Sequence, residues 1–122
     1  MYLSQGIENP GGKRFPLCGI FPFWTRMVGQ LKLAYSEVVV APRNILFPPR
    51  QRIRGHLFHF SEIVGPPAID CGYEVETFSQ RFQEGFQIRN TLASYIHLHF
   101  GCNPEFARSL VRKCHETAYD LR

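Results

Sequence analysis

The chain has 122 residues, with 14 Lys plus Arg against 10 Asp plus Glu (net +4 with neutral histidines), and it is 44% hydrophobic and 14% aromatic. This is enough apolar material for one packed domain, or part of a larger one, and the wrong balance of hydrophobicity and charge for a disordered segment. The longest apolar runs, such as Ile20 to Trp24, fall far short of the ~20 residues that span a bilayer. Met1-Tyr2-Leu3-Ser4-Gln5-Gly6 has no basic n-region and no apolar h-region, so no signal peptide is expected. Basic residues are scattered (Lys13, Arg14, Arg43, Arg89, Arg112, Lys113), and Arg50/Arg52/Arg54 is their only local cluster. Nucleic-acid binding would want a continuous basic face with interleaved aromatics.

Residues 1–19 are rich in Gly and Pro (Asn9-Pro10-Gly11-Gly12, Pro16, Gly19) and follow no period of 2 or 3.6, which predicts a loop-rich start over 1–27. Val28 to Ala41 reads as a strand pair or one bent strand, strongest at Glu37-Val38-Val39-Val40. Pro42 stops it, and Arg43 to Gln51, with Pro48-Pro49, is expected to be a loop. Ile53 to Ile63 predicts a strand with His56, Phe58 and Phe60 on one face and Leu57 and His59 on the other. Pro66-Pro67 break it, Gly72 to Thr77 is a short strand, and Gln80 to Gly85 is a polar turn with Gly85 at its tip. Leu92 to Phe100 carries the cleanest alternation, Ile96, Leu98 and Phe100 against Tyr95, His97 and His99. A helix then closes the chain. Asn103 suits its N-cap, Pro104 its first position and Glu105 its positive end. Ala107, Leu110, Val111, Cys114 and Ala118 form its expected apolar stripe, which makes Cys114 a core thiol. About five strands and one helix, without repeats, make residues 28–122 the ordered part of a partial α/β domain whose early elements are missing. The β-rich remainder is expected to leave Leu31, Leu33, Val38, Val40 and Phe58 short of partners, with open strand edges.

Four of the five histidines lie in two segments, Arg54-Gly55-His56-Leu57-Phe58-His59-Phe60-Ser61 and Ser94-Tyr95-Ile96-His97-Leu98-His99-Phe100. Histidine titrates near neutral pH and serves as base, acid or ligand. One reading is zinc, held by His97 and His99 from a shared strand face with His56 or His59 as third ligand. No cysteine or carboxylate motif accompanies it, so no metal site is expected. The other reading is a histidine that takes a proton from a cysteine thiol. Cys18, Cys71, Cys102 and Cys114 show no two-residue gap of a zinc or redox motif, and none sits in a strained, exposed turn. Cys71 comes nearest, but no helix start follows it. With no secretion signal, a reduced cytoplasmic setting is expected.

The first histidine segment resembles the Arg-Gly-His-Glu-Phe-His-Tyr-Ser stretch of the cobyrinic acid a,c-diamide synthases, and Ala93-Ser94-Tyr95-Ile96-His97-Leu98-His99-Phe100 their Ala-Ser-Tyr-Val-His-Leu-His-Phe stretch. Leu31-x-Leu33-x-Tyr35-x-Glu37-Val38 is similar to their Leu-Gly-Tyr-Arg-Glu-Val, and Asn103-Pro104 with the helix fits their C-terminus. The resemblance runs nearly the full chain and is weakest over residues 5–30. It implies the C-terminal half of a flavodoxin-like class I glutamine amidotransferase domain. That domain would be joined to an N-terminal ATP-binding domain that uses ATP and magnesium. The whole enzyme would amidate the a- and c-acetates of a corrinoid with ammonia from glutamine. It further implies His97 as the base, with His99, Arg54, His56, His59 and Tyr95 supporting it or binding substrate. No ATP or metal is expected on these residues, and no nucleic acid or membrane; a homodimer is one possible assembly.

The family's nucleophile lies in Cys-Gly-Gly-x-Met-Tyr-Leu, of which Met1-Tyr2-Leu3 match the last three positions, so the nucleophile is expected just upstream. Ordinary class I amidotransferases carry Glu two residues after the catalytic histidine; His99 stands there. Leu57 replaces the family glutamate between the two histidines, and loss of a buried polar partner costs about 1–3 kcal/mol. Sister readings are amidation of cobyric acid, of nickel-sirohydrochlorin or of a cell-wall glutamate, and a different one is a non-catalytic interaction module.

Overall fold

Asn9-Pro10-Gly11-Gly12 closes a hairpin. Asn9 accepts the Lys13 amide on its side-chain oxygen (2.9 Å) and the Gly12 amide on its carbonyl (2.9 Å), and Gly12 takes φ +79. The strands it joins are β1 (Ser4–Glu8) and β2 (Arg14–Pro16). The expected loop-rich start over 1–27 is therefore corrected: two short strands and the beginning of a third occupy it. Five and three residues are too few to display a period, and the Gly-Pro punctuation marks their turn.

The structure, a computed structural model, describes residues 1–65 and 67–120, with side chains described as far as Ala118. Pro66, half of the expected strand break, lies outside the described residues. The remaining elements are β3 (Phe21–Val40), β4 (Arg52–Ile63), β5 (Cys71–Thr77), β6 (Arg81–Ile88), β7 (Thr91–Ala93), β8 (Ile96–Leu98), a 3-10 turn at Phe100–Cys102 and α1 (Pro104–Asp120).

The strand expected over Val28 to Ala41 is the later part of β3, which spans 20 residues. Its register against β4 jumps between Met27 and Lys32: Met27 faces Ser61 and Lys32 faces His59. Residues 28–31 thus bulge opposite Phe60 alone. The offset is odd, so the buried face changes from Phe21, Phe23 and Thr25 to Ser36, Val38 and Val40. This is why the sequence reads as bent. Val38 and Val40 are buried, contrary to expectation, whereas Leu33 and Phe58 are 60% and 53% exposed on the opposite face.

The Gln80 to Gly85 turn is also corrected, because Arg81–Ile88 is strand β6, paired with β5. Gly85 sits inside it at φ +75, under the Tyr73 ring, where a Cβ would come within 2.4 Å of that ring. Leu92 to Phe100 is not one strand but β7, β8 and the 3-10 turn. β7 pairs with β6 and β8 with β4, so the order runs β8-β4-β3-β5-β6-β7, with β1 and β2 beside the first half of β3. Only Ser94 and Tyr95 join β7 to β8. A link that reaches roughly 10 Å cannot cross a flat six-strand sheet, so the sheet curls until its two edges meet.

Among the described residues one pairing, β1 with β3, is parallel and six are antiparallel. The core is mostly sheet with one α-helix, a mixed α/β arrangement. Parallel neighbours need crossover segments, and this stretch holds a single helix. Asn103 caps α1 as expected, accepting the Glu105 amide (3.2 Å). The helix face differs from expectation: Phe106 and Ser109 are buried, while Val111, Cys114 and Ala118 are exposed. Phe106 meets Phe47 at 4.6 Å between ring centroids, and that contact fixes the rotation of the helix. Phe47 arrives on the 41–51 loop, which Asn44 and Gln87 hold by hydrogen bonds. Cys114 is therefore not a core thiol.

Candidate functional site

The antiparallel pairing of β4 with β8 brings the two histidine segments together, with Gly55 opposite Leu98, His56 opposite His97 and Leu57 opposite Ile96. On the outer face the His56 and His97 rings lie 4.7 Å apart between centroids, His97 the more exposed. Arg54 and Arg52 share that face, each 3.8 Å from Glu37. Arg50 stands off the strand in a turn at φ 65, so the basic alternation dissolves into two arginines beside a carboxylate. The Arg54 carbonyl accepts the His99 amide (2.8 Å), and its amide approaches Cys102 Sγ (3.3 Å). β8 ends at Leu98 and His99 opens the 3-10 turn, so the strand geometry that would set His99 beside His97 stops one residue short.

Gly55 makes the approach possible. A Cβ there would lie 2.6 Å from Ile96 Cγ2 and 2.9 Å from the His97 carbonyl oxygen. Gly55→Ala should force β8 outward, part the two imidazoles and cost about 1–3 kcal/mol, read as a lowered urea midpoint.

A second cluster lies on the inner face. The His59 ring stacks on Tyr95 at 4.1 Å and 26°, and its Nδ1 donates to the Ser61 carbonyl (2.7 Å), which leaves Nε2 as the acceptor. The Tyr95 hydroxyl bonds Ser61 Oγ (2.8 Å). Beneath them Glu84, 4% exposed, accepts the Tyr95 amide at 2.7 Å and the Ser94 hydroxyl at 2.6 Å. A cavity of about 320 Å³ opens here between Lys32, Leu57, His59, Glu84, Phe86 and Tyr95. Leu57 is buried in the core beside it; the family glutamate at this position would add a third carboxyl to a cavity that Glu62 and Glu84 already line.

Burial holds His59 below the ordinary imidazole range, with Lys32, the Met1 amino group and His97 adding to the effect against the Ser61 bond. Burial pushes the Glu84 carboxyl up, opposed by its bonds from Ser94, Tyr95 and Gly85. The unfolded chain protonates this imidazole near pH 6.5, whereas folded His59 takes up its proton only at lower pH. Stability therefore falls as pH drops below that value and levels off at the folded midpoint. Glu84 acts oppositely: it favours the fold below its ordinary value, and that gain is lost as pH rises toward its raised midpoint. His59→Gln should flatten the decline on the acid side and Glu84→Gln should steepen it, read by urea melts from pH 7 to 5.

Cys18, Cys102 and Cys114 are exposed, and burial, Glu84 and Asp70 push the Cys71 thiol up, away from thiolate character. Among the described residues no three of His, Cys, Asp and Glu stand close enough to hold a metal ion, so the zinc reading finds no ligand set. No helix among them is long and apolar enough to cross a membrane. The sequence reading missed Glu84, Ser61 and Ser94. The available signal was Phe82, Glu84 and Phe86 at strand spacing, a carboxylate between two phenylalanines.

Residues 1–105 match the family model of the CobB/CobQ-like glutamine amidotransferase domain. The chain belongs to this family. Among proteins similar to this amidotransferase domain is the cobyrinate a,c-diamide synthase of Syntrophotalea carbinolica, 38% identical over 120 residues, which covers 93% of this chain and 26% of that protein. Those of Dehalococcoides mccartyi (strain CBDB1; 38% over 119 residues, 92% and 25%) and Thermoplasma volcanium (34% over 115 residues, 93% and 25%) are similar over nearly the same share of the chain. The chain spans about a quarter of the length of these relatives.

Proposed function

We propose that this chain is the histidine-bearing part of a flavodoxin-like class I glutamine amidotransferase domain, with His97 as the base that activates a cysteine thiol. The observation that carries the reading is the place of Met1: two residues on, Leu3 packs against Phe21, Phe23 and Phe86 beside the cavity, and the Met1 amino group is close enough to influence both Glu84 and His59. In the family's Cys-Gly-Gly-x-Met-Tyr-Leu pattern the cysteine stands four residues before this position, within about 14 Å of extended chain. That span is long enough for an upstream cysteine to reach the histidine cluster.

The chemistry then runs as follows. His97 takes the thiol proton, and the thiolate attacks the side-chain carboxamide carbon of glutamine. The tetrahedral intermediate collapses as the imidazolium protonates the leaving nitrogen, and ammonia departs. Water, deprotonated by His97, frees glutamate and the thiolate. No step here uses ATP or magnesium. ATP and magnesium belong to the remaining length of the relatives, where the ammonia would amidate the a- and c-acetates of a corrinoid in the cytoplasm.

The test is ammonia release from glutamine by this chain alone and by a version extended upstream through the cysteine turn. Release only from the extended protein supports the proposal. Release from neither overturns it, as does release from the short chain, which would make one of Cys18, Cys71, Cys102 and Cys114 the nucleophile.

A further inference from the structure

We propose that Glu84 is a positioning residue of the histidine site: by holding the Ser94–Tyr95 crossing between the two sheet edges, its carboxylate sets the Tyr95 ring against His59 and the start of the strand that carries His97. The amidotransferase reading gives this geometry its use, but the geometry stands without it.

Tyr95 and Ser94 have left β7 and not yet joined β8, so their backbone lacks ladder partners. Glu84 supplies them from β6, Oε1 taking the Tyr95 amide and Oε2 the Ser94 hydroxyl, while Ser94 Oγ accepts the Ile96 amide at 2.9 Å. One buried carboxylate thus governs three consecutive residues. The next residue is His97, in register with His56. The Tyr95 side chain reaches the other sheet edge, stacking on His59 and bonding Ser61 Oγ. Both ends of Tyr95 are therefore fixed, the amide by β6 and the hydroxyl by β4. A group that serves only to fill this apolar face would be a leucine or phenylalanine, like its neighbours Phe82 and Phe86. A carboxylate adds two acceptor oxygens aimed at one two-residue link, and a buried carboxylate is tolerated only when such bonds satisfy it.

The experiment follows the imidazole resonances of the isotopically labelled 122-residue chain through a pH titration. Glu84→Asp keeps the charge but is one methylene short of holding both donors. It should release the Tyr95 ring, so that His59 loses its ring-current shift, its midpoint moves up toward 6.5, and the His56–His97 contacts weaken. Glu84→Gln keeps an acceptor for the Tyr95 amide and should leave the His59 ring-current shift and the His56–His97 contacts near wild type. A folded Glu84→Asp chain with unmoved His59 and His97 resonances overturns the proposal. If Glu84→Asp does not fold, Ser94→Ala, at an exposed residue, removes one of the two contacts. It should shift His59 the same way by less, and an unmoved His59 there also overturns it. In the upstream-extended protein, Glu84→Asp should lower kcat by about 10²-fold with KM for glutamine nearly unchanged. Total lack of ammonia release by that protein would count against the amidotransferase reading, and the titrations would still decide the role of Glu84.

Discussion

Replacing His97 by Ala in the upstream-extended protein cuts glutamine hydrolysis by about 10²–10⁴-fold, the range that a positioned general base contributes. The fold should survive, because His97 is exposed and its backbone, not its ring, holds β8 to β4. Urea midpoints of the variant and its parent should therefore agree while ammonia release collapses. His56→Ala should cost less, since His56 stands beside the proposed base. If His97→Ala retained full turnover while His59→Ala lost it, the base would be the inner-face histidine, which lines the 320 Å³ cavity.

Phe106→Ala should destabilise the chain by about 3–5 kcal/mol. Phe106 is 0% exposed and, among the described residues, is the only apolar side chain of α1 in the buried core. It packs on Phe47, which two asparagine and glutamine latches carry into the core from an irregular loop. The cavity left behind cannot close without moving the helix or the loop. The check is a urea titration, where the midpoint should fall with little change in slope. A loss under about 1 kcal/mol would mean that the helix is not docked on this ring. Val111→Ala, on the exposed side that the periodicity marked as apolar, should change stability by less than about 0.5 kcal/mol.

The two histidine segments were legible because strand alternation and the family pattern act over neighbouring residues. That brought forward His56, His59, Tyr95 and His97 together; the pairing of β4 with β8 sets His56 against His97, and the Tyr95 ring stacks on His59. The faces were legible on β4, where Leu57 and His59 lie opposite Phe58 and Phe60. They failed on β3, where an odd offset at residues 28–31 exchanges the buried side, an event set by the partner strand and invisible in one chain's alternation. They failed on α1 too: Phe106 was passed over because a single aromatic outweighs the small residues that happened to keep the period.

Local pattern by itself determined the strands over Val38–Val40, Ile53–Ile63 and Gly72–Thr77, the helix start at Asn103-Pro104, and the two histidine segments as the place to look for chemistry. Only the tertiary structure decided that Glu84 belongs to the site. Glu84 is ten residues before Ser94: the β6–β7 hairpin, with Phe86 opposite Ala93, carries it to the crossing, and closure of the sheet then brings the Tyr95 side chain to His59 and Ser61 on β4. A carboxylate's role depends on which donors reach it in space, and the sequence orders residues along the chain, not across a closed sheet.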